Sequence, residues 1–198
     1  MNDLQRAIEL DEVLFDKEYR GEVIEGLDFC RLEMESVRFV NCRLVGCDLS
    51  GCVFKQVTFE KCDLSNLKWK DGYFRDVSFR ECKGDGSDFG RSSLINTVIQ
   101  GGTYHYGIFS QTLWENSEIL NSEFGDSFFS EAKFKKIRFD NVNLTRSDFF
   151  KTVLKGIDLS SCIIDGFMVS DTFREIKGVK LNADQAVVIA QMLGVKFI

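Results

Sequence analysis

The 198-residue sequence has no proline, a single histidine, and no uninterrupted apolar run near the roughly 18 residues a membrane span needs. Its first residues, "MNDLQRAIELDEVLFDKEYRGEVIE", are acidic and lack the basic and apolar regions of a secretory signal. Clustered lysine and arginine are scarce and the net charge is −6, which argues against a nucleic-acid partner held by phosphate neutralisation. Seven cysteines, an odd number, without an export signal point to reduced thiols in a cytoplasm. The lone His105 has no neighbours that would complete a catalytic triad. "GDGSDFG" (84–90) lacks the lysine and the strand-to-helix setting of a phosphate loop. No enzyme, cofactor, metal or small-molecule substrate is expected.

What the sequence has in abundance is phenylalanine, 19 in all, and it recurs every fifth residue. From Phe29 the series runs Met34, Phe39, Leu44, Leu49, Phe54, Phe59, Leu64, Trp69, Phe74 and Phe79. After Gly84 it continues through Phe89, Phe109, Phe129, Phe139, Phe149 and Leu159 to Val169, and every position in it except Gly84 is large and apolar. A period of five suits neither an α-helix, where the apolar positions would wander around the surface, nor a flat strand, where they would alternate faces. The chain must turn a corner in every pentad and coil into a solenoid with one large side chain per pentad pointing inward.

Two residues before the large position a small or β-branched residue dominates, with few exceptions such as Leu67: Cys42, Cys47, Cys52, Val57, Cys62, Val77, Cys82, Ser87, Ser92, Thr97. Residues i−2 and i share a face of an extended segment, so this position also points inward. Six of the seven cysteines occupy it. Reduced cysteine packs as a small hydrophobe, whereas a zinc site calls for more closely spaced pairs converging from loops. Packing explains the cysteines better than a metal does. Cys42, Cys62, Cys82 and Cys162 differ by multiples of twenty, and so do Asp28, Asp48, Asp88 and Asp148. Four pentads per coil follow, with a square cross-section and about seven to eight coils stacked at about 4.8 Å. Gly84 is the one vacancy in the core. Tyr104, one coil on, is positioned to lean into it, and a local bend is expected there.

Pentads such as "CDLSG" (47–51), "CDLSN" (62–66), "SDFGR" (87–91), "SDFFK" (147–151) and "IDLSS" (157–161) resemble the A-(D/N)-L-x-x signature of the pentapeptide-repeat family. The resemblance covers about residues 19–172 and implies an all-β fold, a right-handed quadrilateral β-helix. "FRECKGDGSDFGRSSLINT" (79–97) and "GVKLNADQAVVIAQMLGVKFI" (178–198) are similar to the Qnr-type quinolone-resistance subgroup. That similarity implies a DNA-mimicking rod that binds DNA gyrase or topoisomerase IV and is joined end to end with a second copy by its C-terminal tail. The loops that interrupt the coils in some Qnr-type members have no counterpart in the unbroken register, and gyrase binding would survive their absence better than drug protection would.

The chain thus divides into an acidic segment 1–18 with room for a short helix, repeats over 19–172, and a tail 173–198. Asn182 and Gln185 form a capping-box pattern and Gly194 suits a helix end, so a helix is expected over 183–193. It either caps the last coil or also forms a two-fold dimer, with Val187, Ala190, Leu193, Val195, Phe197 and Ile198 as the dimerising residues. Among the four faces, the two most acidic adjoin. One carries Asp28, Asp48, Asp88 and Asp148, the other Asp63, Asp85, Glu123, Asp126 and Asp165, and these are the candidate partner-binding residues. "KFKK" (133–136) lies on the positive face and reads as a solvated patch. A rigid scaffold for an unrelated protein, or a purely structural domain, are the competing readings.

Overall fold

A computed structural model describes residues 3–196. A short helix, α1 (Asp3–Leu10), opens the chain and lays the buried Leu4 and Ala7 over the first coil. Fourteen short strands follow. They are β1 (Leu14–Phe15), β2 (Glu18–Arg20), β3 (Val23–Glu25), β4 (Glu33–Glu35) and β5 (Arg38–Val40). Next come β6 (Arg43–Val45), β7 (Val53–Lys55), β8 (Thr58–Glu60), β9 (Tyr73–Arg75) and β10 (Ser78–Lys83). The last are β11 (Ser93–Ile95), β12 (Val98–Thr103), β13 (Leu113–Leu120) and β14 (Lys133–Asp140). Helix α2 (Ala183–Met192) ends the described chain.

Every strand pairing is parallel and joins residues twenty apart: Leu14 lies beside Met34, Phe39 beside Phe59, Ile99 beside Ile119. The coil is therefore four pentads long. On one face the stack β1, β4, β7, β9, β11, β13, β14 makes about six turns. Isolated bridges such as Asn143 to Ile163 and Asp148 to Met168 carry the stacking further without forming strands, so the paired strands make fewer turns than the seven to eight coils expected from the length of the repeats. The β stacking begins at Leu14, one pentad before residue 19.

The corners are turned by left-handed backbone at the second residue after each large one. Arg31, Ser36, Asn41, Gly46, Gly51, Gln56, Lys61 and Asn66 all have φ between 53° and 70°, and the pattern continues to Gly156. Asparagine, aspartate and glycine tolerate that conformation best. The inward side chains stack along the axis. Tyr19, Phe39, Phe59 and Phe79 form one column with ring centroids 5.2, 5.0 and 5.1 Å apart. Phe89, Phe109, Phe129 and Phe149 form another at 5.0 to 5.1 Å. These distances match the spacing that the hydrogen-bonded strands impose. Phe29, Phe39, Leu49, Phe59, Phe79, Phe89, Phe109, Phe129, Phe139, Phe149 and Leu159 are all buried.

The bend expected at Gly84 is absent. Its amide donates to Thr103 O at 2.7 Å, as Leu64 N does to Lys83 O at 2.7 Å, so the coils above and below keep their spacing. The vacancy is filled from the side: a Cβ on Gly84 would lie 2.6 Å from the Tyr104 ring. That ring stacks on Phe124 at 4.9 Å, and its buried hydroxyl has no hydrogen-bond partner among the described residues. Tyr104→Phe removes an unsatisfied polar atom and leaves the ring in place. It is expected to stabilise the protein by about 1 kcal/mol in chemical denaturation, and a loss of stability would contradict this account.

Candidate interaction faces

The inward slot shared by cysteine, serine and threonine has a common task. Most of these side chains donate to a carbonyl of the coil before their own, whereas Thr112 turns to Phe109 O and Thr97 to Ile95 O within their own coil. Cys42 Sγ reaches Tyr19 O at 3.3 Å, Cys62 Sγ reaches Phe39 O at 3.3 Å, and Cys82 Sγ reaches Phe59 O at 3.4 Å. Ser87 Oγ to Leu64 O at 2.6 Å, Ser127 Oγ to Tyr104 O and Ser147 Oγ to Phe124 O, both at 2.7 Å, do the same. A small donor in this slot pairs a buried carbonyl that would otherwise lack that bond, although Val57 and Val77 fill the slot without one. Burial pushes the thiols of Cys42, Cys47 and Cys162 up and that of Cys52 up to about 12, which keeps them protonated and unreactive.

The outward aspartates also begin with a structural role. Asp28, Asp48, Asp63, Asp88 and Asp148 each accept the backbone N–H two residues on, from Cys30, Ser50, Ser65, Gly90 and Phe150, at 2.8 to 3.2 Å. These are Asx turns that lead into the corner. Several of the same carboxylates are then neutralised by a base one coil away. Asp48 meets Lys68 Nζ at 3.2 Å, Asp88 meets Lys70 Nζ at 2.9 Å, and Asp63 meets Arg43 Nε at 3.7 Å. Arg146 grips Asp126 with two bonds of 2.7 and 2.6 Å. The others form no ion pair among the described residues. Asp85 accepts His105 N at 2.9 Å, Glu123 accepts Asn143 Nδ2 at 2.8 Å, Asp148 accepts Ser130 Oγ at 2.7 Å, and Asp28 and Asp165 face outward.

The acidic face carries a feature the charge reading passed over. Phe128, Phe150 and Met168 are exposed there, at positions where other coils place aspartate, serine or lysine. The signal was an apolar residue at an outward pentad position.

These bonds give the faces a pH dependence. Partial burial raises Asp48, but hydrogen bonds from Ser50 and Lys68 outweigh it and bring the group down to about 2. Hydrogen bonds from Arg91 and Arg146 lower Asp71 and Asp126, and one from Cys30 lowers Asp28. Folded values below unfolded ones mean that the stabilisation is complete above the unfolded value of about 3.9 and is lost as pH falls through the folded values. The melting temperature followed by circular dichroism is therefore expected to hold between about pH 7 and 5 and to drop between about pH 4 and 2. A flat profile to the acid end would refute this.

The tail forms the expected helix. Asn182 Oδ1 accepts Gln185 N at 2.9 Å, and Gln185 Oε1 accepts Asn182 N at 2.9 Å. Gln185 also moors the helix to the last coil, its Nε2 donating to Leu159 O at 2.7 Å and Cys162 O at 2.6 Å. Beyond that anchor the helix is little covered. Val187, Leu193 and Val195 are 41%, 58% and 49% exposed and Ala190 is half-buried, while Phe197 and Ile198 lie outside the described residues.

Among solved structures, full-length QnrB1, a plasmid-mediated fluoroquinolone resistance protein, aligns with 90% of this chain and 100% of its own, at 17% identity and a TM-score of 0.43. HetL, a pentapeptide repeat protein involved in heterocyst differentiation regulation from the cyanobacterium Nostoc, aligns over 91% of this chain and 94% of its own at 9% identity and a TM-score of 0.44. Rfr23 from the cyanobacterium Cyanothece gives 91% and 98% coverage, 11% identity and a TM-score of 0.42. No curated protein matches the sequence. The family model for the pentapeptide repeat region matches residues 14–89 and 52–129, and that for pentapeptide repeats, eight copies, matches residues 129–166. Five-residue corners, twenty-residue coils and these matches coincide over the same stretch, and the chain belongs to the pentapeptide-repeat family.

Proposed function

We propose that the chain is a non-catalytic interaction rod that offers its two adjoining acidic faces to a positively charged DNA-binding surface, that of a bacterial type II topoisomerase in the cytoplasm. The observation that carries the reading is the position of the carboxylates without an ion pair. Asp28 and Asp148 lie on one face and Asp85, Glu123 and Asp165 on the next, spread along a rigid body that needs no rearrangement to present them. A pre-formed surface loses little entropy on docking, and charge complementarity speeds encounter. The resemblance of residues 79–97 and 178–198 to the Qnr-type subgroup makes gyrase or topoisomerase IV the first partner to try and quinolone susceptibility the first phenotype. Supercoiling by purified gyrase should fall with added protein in the micromolar range. Unchanged supercoiling, with no binding of gyrase in a pull-down, would overturn the reading.

A second reading, a rigid scaffold for an unrelated protein partner, draws on the ion pairs between coils. Lys68, Lys70, Arg43 and Arg146 cancel acids that a DNA mimic would leave bare. Capture of a protein other than a topoisomerase, together with an inactive supercoiling assay, favours it.

Dimerisation belongs to the same proposal. Val187, Leu193 and Val195 are exposed on α2 and just beyond it, and a second copy of the tail would cover them. Light scattering should give twice the 22.6 kDa chain mass for the native protein and the single mass for Val187→Glu/Leu193→Glu. Equal masses for the two would refute a tail-built dimer.

A further inference from the structure

The strand β14 has a partner on only one edge. On its lower side it pairs with β13 along its whole length. On its upper side the next coil, residues 153–161, forms no backbone hydrogen bond with it. In earlier coils the corner amide donates to a carbonyl of the following coil: Ser36 N to Lys55 O, Gln56 N to Arg75 O, Asp76 N to Ile95 O, Asn96 N to Glu115 O, at 2.9 to 3.0 Å. At Lys136 that bond is missing. At Asn141 the amide takes Ser161 Oγ at 3.1 Å in place of a carbonyl. The left-handed corner that recurs up to Gly156 is also absent at Ser161, and the next one comes at Gly166. Residues 154–159 pair only upward, with a coil lengthened by two residues, so that Asp158 lies beside Lys180.

The result is a cleft of about 610 Å³ between β14 and the coil above it, lined by Phe134, Lys136, Ile137, Lys155, Ile157 and Asp158 among others. It falls in the size range of ligand sites, roughly 300–1,000 Å³. Its floor is core that the other coils seal. Phe134 and Ile137 are only partly buried, whereas Trp114 and Ser117, one coil earlier in the same positions, are 0% and 1% exposed. The rim carries more positive than negative charge. Lys136 and Lys155 line it and Lys133 lies beside it, and none of the three forms an ion pair among the described residues; of the two acids on the lining, Asp140 is held by Arg138 at 2.6 Å and Asp158 alone is unpaired there.

An open strand edge selects an extended backbone, an apolar floor selects an alternate apolar side chain, and unpaired lysines select carboxylates. We propose that this cleft binds an acidic, extended peptide segment of a partner protein by strand addition to β14. The site lies on the basic side of the rod, away from the acidic faces, and is independent of the topoisomerase reading.

The test uses the full chain and a fluorescent peptide of alternating valine and glutamate, with a valine–lysine peptide as control. Anisotropy should show saturable binding of the acidic peptide and none of the basic one. Lys133→Glu/Lys136→Glu/Lys155→Glu should weaken binding by about tenfold or more while leaving the circular dichroism spectrum unchanged. Amide exchange at Lys136 should be fast in the free protein and slowed by the peptide. No saturation, equal binding of both peptides, or binding indifferent to the triple variant overturns the proposal. So does self-association through the cleft, seen as a dimer that survives Val187→Glu/Leu193→Glu and is lost in the triple lysine variant, because it would assign the cleft to a second copy.

Discussion

Phe59→Ala is expected to cost about 4 to 5 kcal/mol of stability, near the top of the range for a large core truncation. Phe59 is fully buried, and its ring is stacked between Phe39 at 5.0 Å and Phe79 at 5.1 Å. Trp69 meets it edge-on at 5.5 Å and Phe54 at 6.2 Å. The cost is set by how far a site can collapse around the missing ring, and here it cannot. β8 is bonded to β5 on one side and β10 on the other, so the coil spacing is fixed by the backbone and the void stays open. Lost aromatic pairing adds about 0.5 to 1.5 kcal/mol to the burial loss. A solenoid is held together by contacts between neighbouring coils, so a hole in a middle coil weakens the link between the two halves. Chemical denaturation should show a lower midpoint. Phe59→Leu, which keeps most of the volume, should cost less than about 1.5 kcal/mol. A loss below about 1 kcal/mol for the alanine variant would mean that the column is not the source of stability.

The period of five made much of this visible without coordinates. Side chains that must reach the axis are the large residue and its small companion, and most of the buried residues from Tyr19 to Leu159 stand at those positions, Phe134 and Ile137 being only partly covered. The twenty-residue coil was legible because the cysteines and aspartates fall into columns, and both columns turn out to be bonded ones: a thiol to the carbonyl below, a carboxylate to the amide two residues on. The role of those aspartates was less legible. Composition counts a charge on a face, but whether Lys68 cancels Asp48 depends on a contact between coils, which the net charge conceals. The left-handed corner column was also missed, because Arg31, Tyr106 and Lys136 occupy it along with the expected glycine, asparagine and aspartate. At Gly84 the pattern showed a hole, and only packing could show that Tyr104 closes it without disturbing the backbone. The cleft above β14 lies in sequence whose register is intact. Periodicity fixes where a side chain points within its coil; it does not fix whether the next coil closes on it.

Gly102→Ala should be the most damaging small substitution in the chain, costing about 4 kcal/mol or more, in the range reserved for broken backbone or core geometry. Gly102 stands in the inward slot two residues before Tyr104 and lies beside Cys82 one coil earlier. Its φ of +88° disfavours any side chain, and a Cβ there would lie 1.9 Å from Cys82 O and 2.9 Å from Cys82 C and N. All three obstacles are backbone atoms of a paired strand, so relief requires the coils to part rather than a side chain to turn. Ser122, whose slot should donate to the carbonyl of residue 99, reaches Gly101 O at 3.2 Å, a sign that the backbone has already moved inward here. The neighbouring Gly101 separates conformational strain from collision. Its φ is +71°, yet its Cβ would meet nothing closer than Glu81 Cγ at 3.5 Å. Gly101→Ala should therefore cost only the left-handed penalty of about 1 to 2 kcal/mol. Soluble yield and the denaturation midpoint of the two variants, measured side by side, decide the matter. Equal losses would show that the approach to Cys82 costs nothing beyond the strain of the backbone itself.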